Sequence, residues 1–165
     1  MPDPPTLRGE QLTLRPMSAA DREVLNRLVV EPGVREWMGT DPELDEQDAF
    51  AIVVGDEVAG WLGWYEETDD DYRHGGLDIF VARAFQGRGL GPEALWLGAR
   101  WLFEECGHHR LIIDPAAHNT RAIAVYESLG FKPVGVMRSY ERGADGEWHD
   151  GLLMDMLAGE LRRPS

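Results

Sequence analysis

Three places in the sequence hold residue types that could do chemistry. The first is Gln86-Gly87-Arg88-Gly89-Leu90-Gly91, between an apolar strand-like run and a helical one. Glycines let backbone N–H groups close around an anion, and a helix start adds partial positive charge, so this turn suits a pyrophosphate. Arg88 could pair with a phosphate from the edge. The turn is not a dinucleotide fingerprint, because Pro92 stands where the third glycine belongs. Nor is it a P-loop, because no Gly-Lys-Ser/Thr follows. The second place is Asp78, in the otherwise apolar run Leu77-Asp78-Ile79-Phe80-Val81. A buried carboxylate without a partner is costly, so Asp78 is expected to face a cavity or a cation. Asp114 ends the following strand-like run before Pro115, where an aspartate serves a turn as readily as a site. The third is Tyr126, on the apolar side of a helical run, where its hydroxyl must find a partner whether its role is packing or chemistry.

The elements that must position these residues follow from periodicity and turn signals. Gln11–Arg15 alternates as a first strand stopped by Pro16, and Ser18 with Asp21 forms a capping box opening a helix striped by Val24, Leu25, Leu28 and Val29. A short helix or loop at Val34–Gly39 precedes an acidic connection, Asp41–Asp48. Phe50–Val54, a Gly55–Asp56 turn and Val58–Tyr65 read as a hairpin, and Gly76–Val81 as another strand. The glycine turn opens a helix near Pro92 that Gly107 closes. Arg110–Asp114 is a strand, Thr120–Leu129 a helix stopped by Gly130, and Phe131–Tyr140 with Trp148–Leu157 a closing strand pair. Residues 1–5 and 162–165 read as frayed tails. The order predicts one α/β domain over residues 1–165, a mixed, mostly antiparallel sheet flanked by helices.

The 165 residues suit a single core. Sixteen basic against 30 acidic residues give a net charge of −14, which disfavours nucleic acid and anionic membranes and favours a polycationic partner. Cys106 is the only cysteine, so no disulfide framework is expected, and the histidines lack metal-ligand spacing. With no signal-like N-terminus and no run of roughly 20 apolar residues, a cytoplasmic protein is expected. Trp61 and Trp64 could stack on a sugar ring or pack in the core. Oligomeric state is not legible.

The strand, Gln-x-x-Gly-x-Gly turn and helix, followed by the Asn119…Ala122…Tyr126-Glu127-x-x-Gly130-Phe131 helix, closely resemble the GNAT acetyltransferase superfamily over about Glu10 to Leu157. The resemblance implies the GNAT fold with splayed central strands, and acetyl-CoA as donor. It implies that the backbone of Gln86, Gly87, Arg88, Gly89, Leu90 and Gly91 holds the pyrophosphate and that Ile79, Phe80 and Val81 line the pantetheine arm. It also implies that Asn119 and Ala122 contact the cofactor and that Tyr126 protonates the departing thiolate. Val34-Arg35-Glu36-Trp37-Met38-Gly39, Gly76-Leu77-Asp78 and Ile113-Asp114-Pro115…Asn119-Thr120-Arg121-Ala122-Ile123 are most similar to aminoglycoside 6′-N-acetyltransferases. That similarity implies that Asp78 and Asp114 face the acceptor amine, that Trp37 walls the sugar pocket, and that the product is an inactivated antibiotic. The stretch Val134–Leu157, with Gly146-Glu147-Trp148-His149-Asp150, also resembles polyamine and protein N-terminal acetyltransferases. A non-catalytic acyl-CoA-binding module is the alternative of another class, one expected to lack the tyrosine and the pocket carboxylates.

Overall fold

Among the described residues the hydrophobic periods resolve into one eight-stranded sheet carrying three helices. The computed structural model describes residues 2–40, 44 and 48–165; most of the acidic connection Asp41–Asp48 lies outside them. The strands are β1 (Leu7–Arg8), β2 (Thr13–Pro16), β3 (Ala49–Val54), β4 (Glu57–Glu67), β5 (His74–Val81), β6 (Arg110–Ile113), β7 (Lys132–Arg142) and β8 (Trp148–Leu157). The helices are α1 (Ala19–Val29), α2 (Leu90–Glu104) and α3 (Thr120–Leu129). The sheet order is β1-β2-β3-β4-β5-β6-β8-β7, antiparallel except where β5 meets β6. Beyond the expected strands it has one addition, β1, too short for a periodic signal. The tail is not free at its C-terminal end, because Arg162 donates its N–H to Leu129 O at 2.8 Å.

Two cores hold the sheet from opposite faces. On one, Leu95, Leu102 and Trp101 of α2 meet Phe50, Ile52, Leu62 and Trp64. On the other, Leu25 and Val29 of α1 meet Trp61 and Phe80. Trp61 and Trp64 are therefore packing residues, 7% and 5% exposed, rather than sugar platforms. The helix α1 starts where the capping box requires. The Asp21 carboxylate accepts from Ser18 N at 2.9 Å and pairs with both terminal nitrogens of Arg15 at 2.7 and 2.8 Å, which hold its carboxyl down at about 2. The helix α2 begins two residues before Pro92, with Gly89 as its cap at φ 77°, a left-handed value that favours glycine. Proline fits this first turn because its missing N–H would have no intrahelical acceptor. No described helix is long and apolar enough to cross a membrane.

The feature that positions the site is a split in the sheet. Strands β5 and β6 pair only at Gly75–Leu111 and Gly76–Ile112. Past those pairs they separate, and the edge of β5 from Leu77 to Val81 faces a cleft instead of a neighbour.

Candidate active site

The glycine turn lies at the donor end of this cleft. Gly87 and Gly89 have φ values of 78° and 77°, and a Cβ at Gly87 would meet nothing within 4 Å, so the turn is open on its outer side. The N–H groups of residues 87 to 89 have no acceptor among the described hydrogen bonds, and Leu90 and Gly91 open α2, where first-turn N–H groups lack an intrahelical acceptor, as an anion cradle requires. Gln86 fixes the turn by donating from its side chain to Val81 O at 3.0 Å and Gly33 O at 3.3 Å. The Arg88 guanidinium is turned back instead, donating to Ala84 O at 3.1 Å and covering the Phe85 ring, so it does not reach the turn's open side.

A groove of about 350 Å³ runs from this turn between Ile79, Phe80 and Val81 on β5 and Asn119, Ala122, Val125 and Tyr126 on α3. Asn119 caps α3, its side-chain oxygen accepting from Ala122 N at 3.2 Å. Arg121 also lines the groove and is its cation, a residue the sequence reading quoted only as part of a motif. The pieces fit an elongated donor with a pyrophosphate: free N–H groups at one end, an unpaired strand edge along the side and a narrow opening beyond.

At that opening the groove meets a second cavity, of about 530 Å³, lined by Trp37, Asp78, Asp114, Tyr126, Tyr140 and Glu141 among others. Tyr126 belongs to both walls. It is 9% exposed, and its hydroxyl makes no hydrogen bond among the described residues. Burial, with Asp78 and Asp114 nearby, raises the phenol far above its ordinary range, so it stays a proton donor at any working pH.

Asp78 projects from β5 into this cavity. Its side chain is exposed to solvent through the opening, although many protein atoms surround the carboxylate. Its described hydrogen bond is with its own neighbour, from Ile79 N at 2.9 Å. Burial, opposed by that bond and helped by Asp114 and Glu141, pushes the carboxyl up to about 6. Asp114, just past β6, is raised by burial, while a hydrogen bond from the Tyr140 hydroxyl at 2.6 Å pulls it down. The two aspartates thus differ: Asp114 is held, and Asp78 is free to titrate near neutral pH.

Two glycines of the sheet make room for aromatic rings. A Cβ at Gly63 would lie 2.3 Å from the Trp61 ring, and one at Gly76 would lie 2.0 Å from Tyr65, so each aromatic lies over a glycine of the sheet. The Tyr65 phenol is raised to about 12 by burial and by the charges of Asp114 and Asp78. Trp37, from the short 3-10 turn Arg35–Trp37, is 39% exposed and forms the rim, its ring 5.1 Å from that of His118.

Tyr140 and Glu141 come from a bulge in β7. Met137 faces Gly151 and Glu141 faces His149, so three residues, 138–140, stand opposite one. Ser139 takes φ 47°, and its N–H donates to the Asp150 carboxylate at 2.8 Å. Simple alternation along the strand could not have shown these residues entering the site.

Other singled-out residues lie elsewhere. Cys106 is buried, with its thiol pushed up to about 11 by burial, and it lines neither cavity. Glu66 is bonded to the buried His108, whereas Asp69–Asp71 are exposed. Among the described residues no three His, Cys, Asp or Glu side chains could hold a metal ion.

Residues 17–131 match the model of the acetyltransferase (GNAT) family. The chain is 37% identical to aminoglycoside N(6′)-acetyltransferase type 1 of Klebsiella pneumoniae over 161 residues, covering 80% of this chain and 79% of that one. It is 27% identical to N-acetyltransferase p20 of Bacillus licheniformis over 94% of this chain and 97% of that one. Among solved structures, Mycobacterium smegmatis RimJ in complex with CoA-disulfide is similar in fold, with TM-score 0.83 and 23% identity over 96% and 90% of the two chains.

Proposed function

The chain belongs to the GNAT acetyltransferase family and is an N-acetyltransferase, and from that premise we propose that it acetylates an amine of an aminoglycoside, the 6′-amine, with acetyl-CoA as donor. The observation that carries the reading is Tyr126, a buried, unpartnered hydroxyl where a donor-shaped groove meets an acidic cavity. The 37% identity to an aminoglycoside N(6′)-acetyltransferase supports this choice of acceptor.

In this reading the turn Gln86–Gly91 binds the pyrophosphate through its N–H groups, with Arg121 supplying positive charge alongside. Main-chain groups of Ile79, Phe80 and Val81 orient the pantetheine arm, and the β5 edge offers an N–H to the developing oxyanion. Asp78 removes a proton from the acceptor ammonium. The freed nitrogen bonds to the carbonyl carbon as the carbon–sulfur bond breaks. Tyr126 gives its proton to the leaving thiolate and is reprotonated by the proton shed from the new amide nitrogen. Asp114, held by Tyr140, supplies negative charge to the acceptor rather than the basic step. Positioning of the two substrates accounts for most of the acceleration.

Thiol release from acetyl-CoA, measured with kanamycin, tobramycin, spermidine and a short basic peptide, tests the assignment. An aminoglycoside is expected to give the highest kcat/KM, and expression in a susceptible strain is expected to raise kanamycin resistance. A peptide or spermidine far ahead of both antibiotics would overturn the acceptor while leaving the acetyltransferase intact.

A further inference from the structure

The acidic cavity continues past the residues this reaction uses. Trp37, Ala116 and Glu141 line it and also line a smaller hollow of about 180 Å³, closed on its far side by His118, His149 and Asp145. Glu141 therefore stands where the two spaces join. Its carboxylate reaches across the mouth toward the 3-10 turn: a Cβ built on Gly39 would lie 3.6 Å from Glu141 Oε1.

The groups that could neutralise Glu141 are committed elsewhere. Arg142 donates to Gly146 O at 3.0 Å, and His149 is bonded to Asp145 at 2.8 Å. Among the described residues Glu141 accepts no hydrogen bond and makes no ion pair, His149 being the one group whose charge would favour its ionised form, although it is half-buried and shares its cavity with Asp78 and Asp114. A carboxylate in that position is costly unless a cation comes to it. The site is more than an acidic cluster, because the same cavity receives the buried, unpartnered hydroxyl of Tyr126. That hydroxyl fixes where one amine reacts, and Glu141 lies away from it toward the second hollow. The rings of Trp37, His118 and His149, at centroid spacings of 5.1 and 5.2 Å and each tilted 43° to the next, form a stepped aromatic wall beside a ligand spanning the two spaces.

We propose that Glu141 holds a second ammonium of the acceptor, so that the site selects amines with at least two cationic centres over monoamines. The inference rests on the acidic cavity being the acceptor site, but not on the acceptor being an aminoglycoside.

The test compares wild type with Glu141→Gln and Glu141→Asp on two matched pairs: kanamycin against 6-amino-6-deoxyglucose, and spermidine against propylamine. Wild type is expected to favour the multiply charged member of whichever pair it turns over. Glu141→Gln should shrink that preference tenfold or more, chiefly through KM of the multiply charged acceptor, and Glu141→Asp should restore part of it. A wild type that prefers monoamines, or a glutamine variant that slows both members equally, overturns the role of Glu141. Failure of kanamycin with success of spermidine overturns the antibiotic assignment alone, and the second pair then decides the inference. If no amine in either pair is turned over, the reading of this cavity falls, and the inference with it.

Discussion

The hydroxyl of Tyr140 donates to Asp114 Oδ2 at 2.6 Å, tying the β7 bulge to the strand end that borders the cleft. The ring lies over Gly151, where a Cβ would come within 2.8 Å of Tyr140 Cδ2, so the last hairpin is built to hold this contact. The bond stabilises ionised Asp114 against the effect of burial.

Tyr140→Phe keeps the ring and removes that donor. A hydrogen bond to a charged group contributes about 1.5–3 kcal/mol, so the acceptor kcat/KM should fall roughly tenfold or more. Without the bond the Asp114 carboxyl rises further, and any part of the acid limb that depends on its charge moves to higher pH. The affinity for CoA, measured by calorimetry, should stay the same. A uniform loss of CoA and acceptor binding would mean that the hairpin had shifted as a whole.

Tyr126→Phe should leave folding almost unchanged. The hydroxyl has no hydrogen-bond partner among the described residues to orphan, and the ring keeps its edge contact with Phe131 at 6.2 Å. Turnover should fall by about 10²–10⁴, the range of general acid catalysis, with CoA affinity nearly intact. Pre-steady-state kinetics must first establish that chemistry limits the rate. A phenylalanine variant of full speed would pass the proton-donor role to water.

Which parts were legible in the sequence depended on whether the signal was local. The turn Gln86–Gly91, the α3 motif and the aspartates at 78 and 114 carry their information in consecutive residues, and all of them come to one cleft. Trp61 and Trp64 were ambiguous because alternation marks faces without saying which face α1 or α2 covers. Tyr140 and Glu141 were missed because the bulge at Ser139 breaks the period of two. The direction of Arg88 is a matter of rotamer, set by Ala84 O and the Phe85 ring, which no spacing rule predicts.

The anion cradle can be tested without catalysis. Gly89→Val forces a branched residue into φ 77° and narrows the approach to the N–H groups. The left-handed backbone alone costs about 1–2 kcal/mol for a residue with a Cβ. The variant should therefore melt lower yet remain folded, since the new Cβ would have only Gln11 nearby, at 3.8 Å. Its CoA affinity should drop at least tenfold in calorimetry. Dephospho-CoA, which retains the pyrophosphate, should lose affinity in parallel. Unchanged affinity in a folded variant would move the pyrophosphate elsewhere.

Asp78 links activity and stability to pH with opposite benefit. As the base it works only ionised, so acceptor kcat/KM should rise with pH and level off above about 6. Asp78→Asn should remove that limb and lower kcat/KM by about 10²–10⁴. For stability the sign reverses. Below the ordinary value of 3.8 the carboxyl is protonated in both states, but between 3.8 and about 6 the unfolded chain releases the proton while the fold retains it. Stability contributed by this group therefore falls as pH rises through that window and stays lower above it. Asp21 is the opposite case. Held down to about 2 by Arg15, it contributes stability above 3.8, on the order of 2 kcal/mol, that is lost as pH falls toward 2. Asp78→Asn should thus raise Tm at pH 8 with little change at pH 4, whereas Asp21→Asn should lower Tm at pH 8, with a gap that closes in acid. Calorimetric melts of the three proteins from pH 3 to 8, beside the pH–rate profiles, read both effects. A lower Tm for Asp78→Asn at pH 8 would mean that the ionised carboxylate holds the fold together, which removes the physical ground for assigning it as the base.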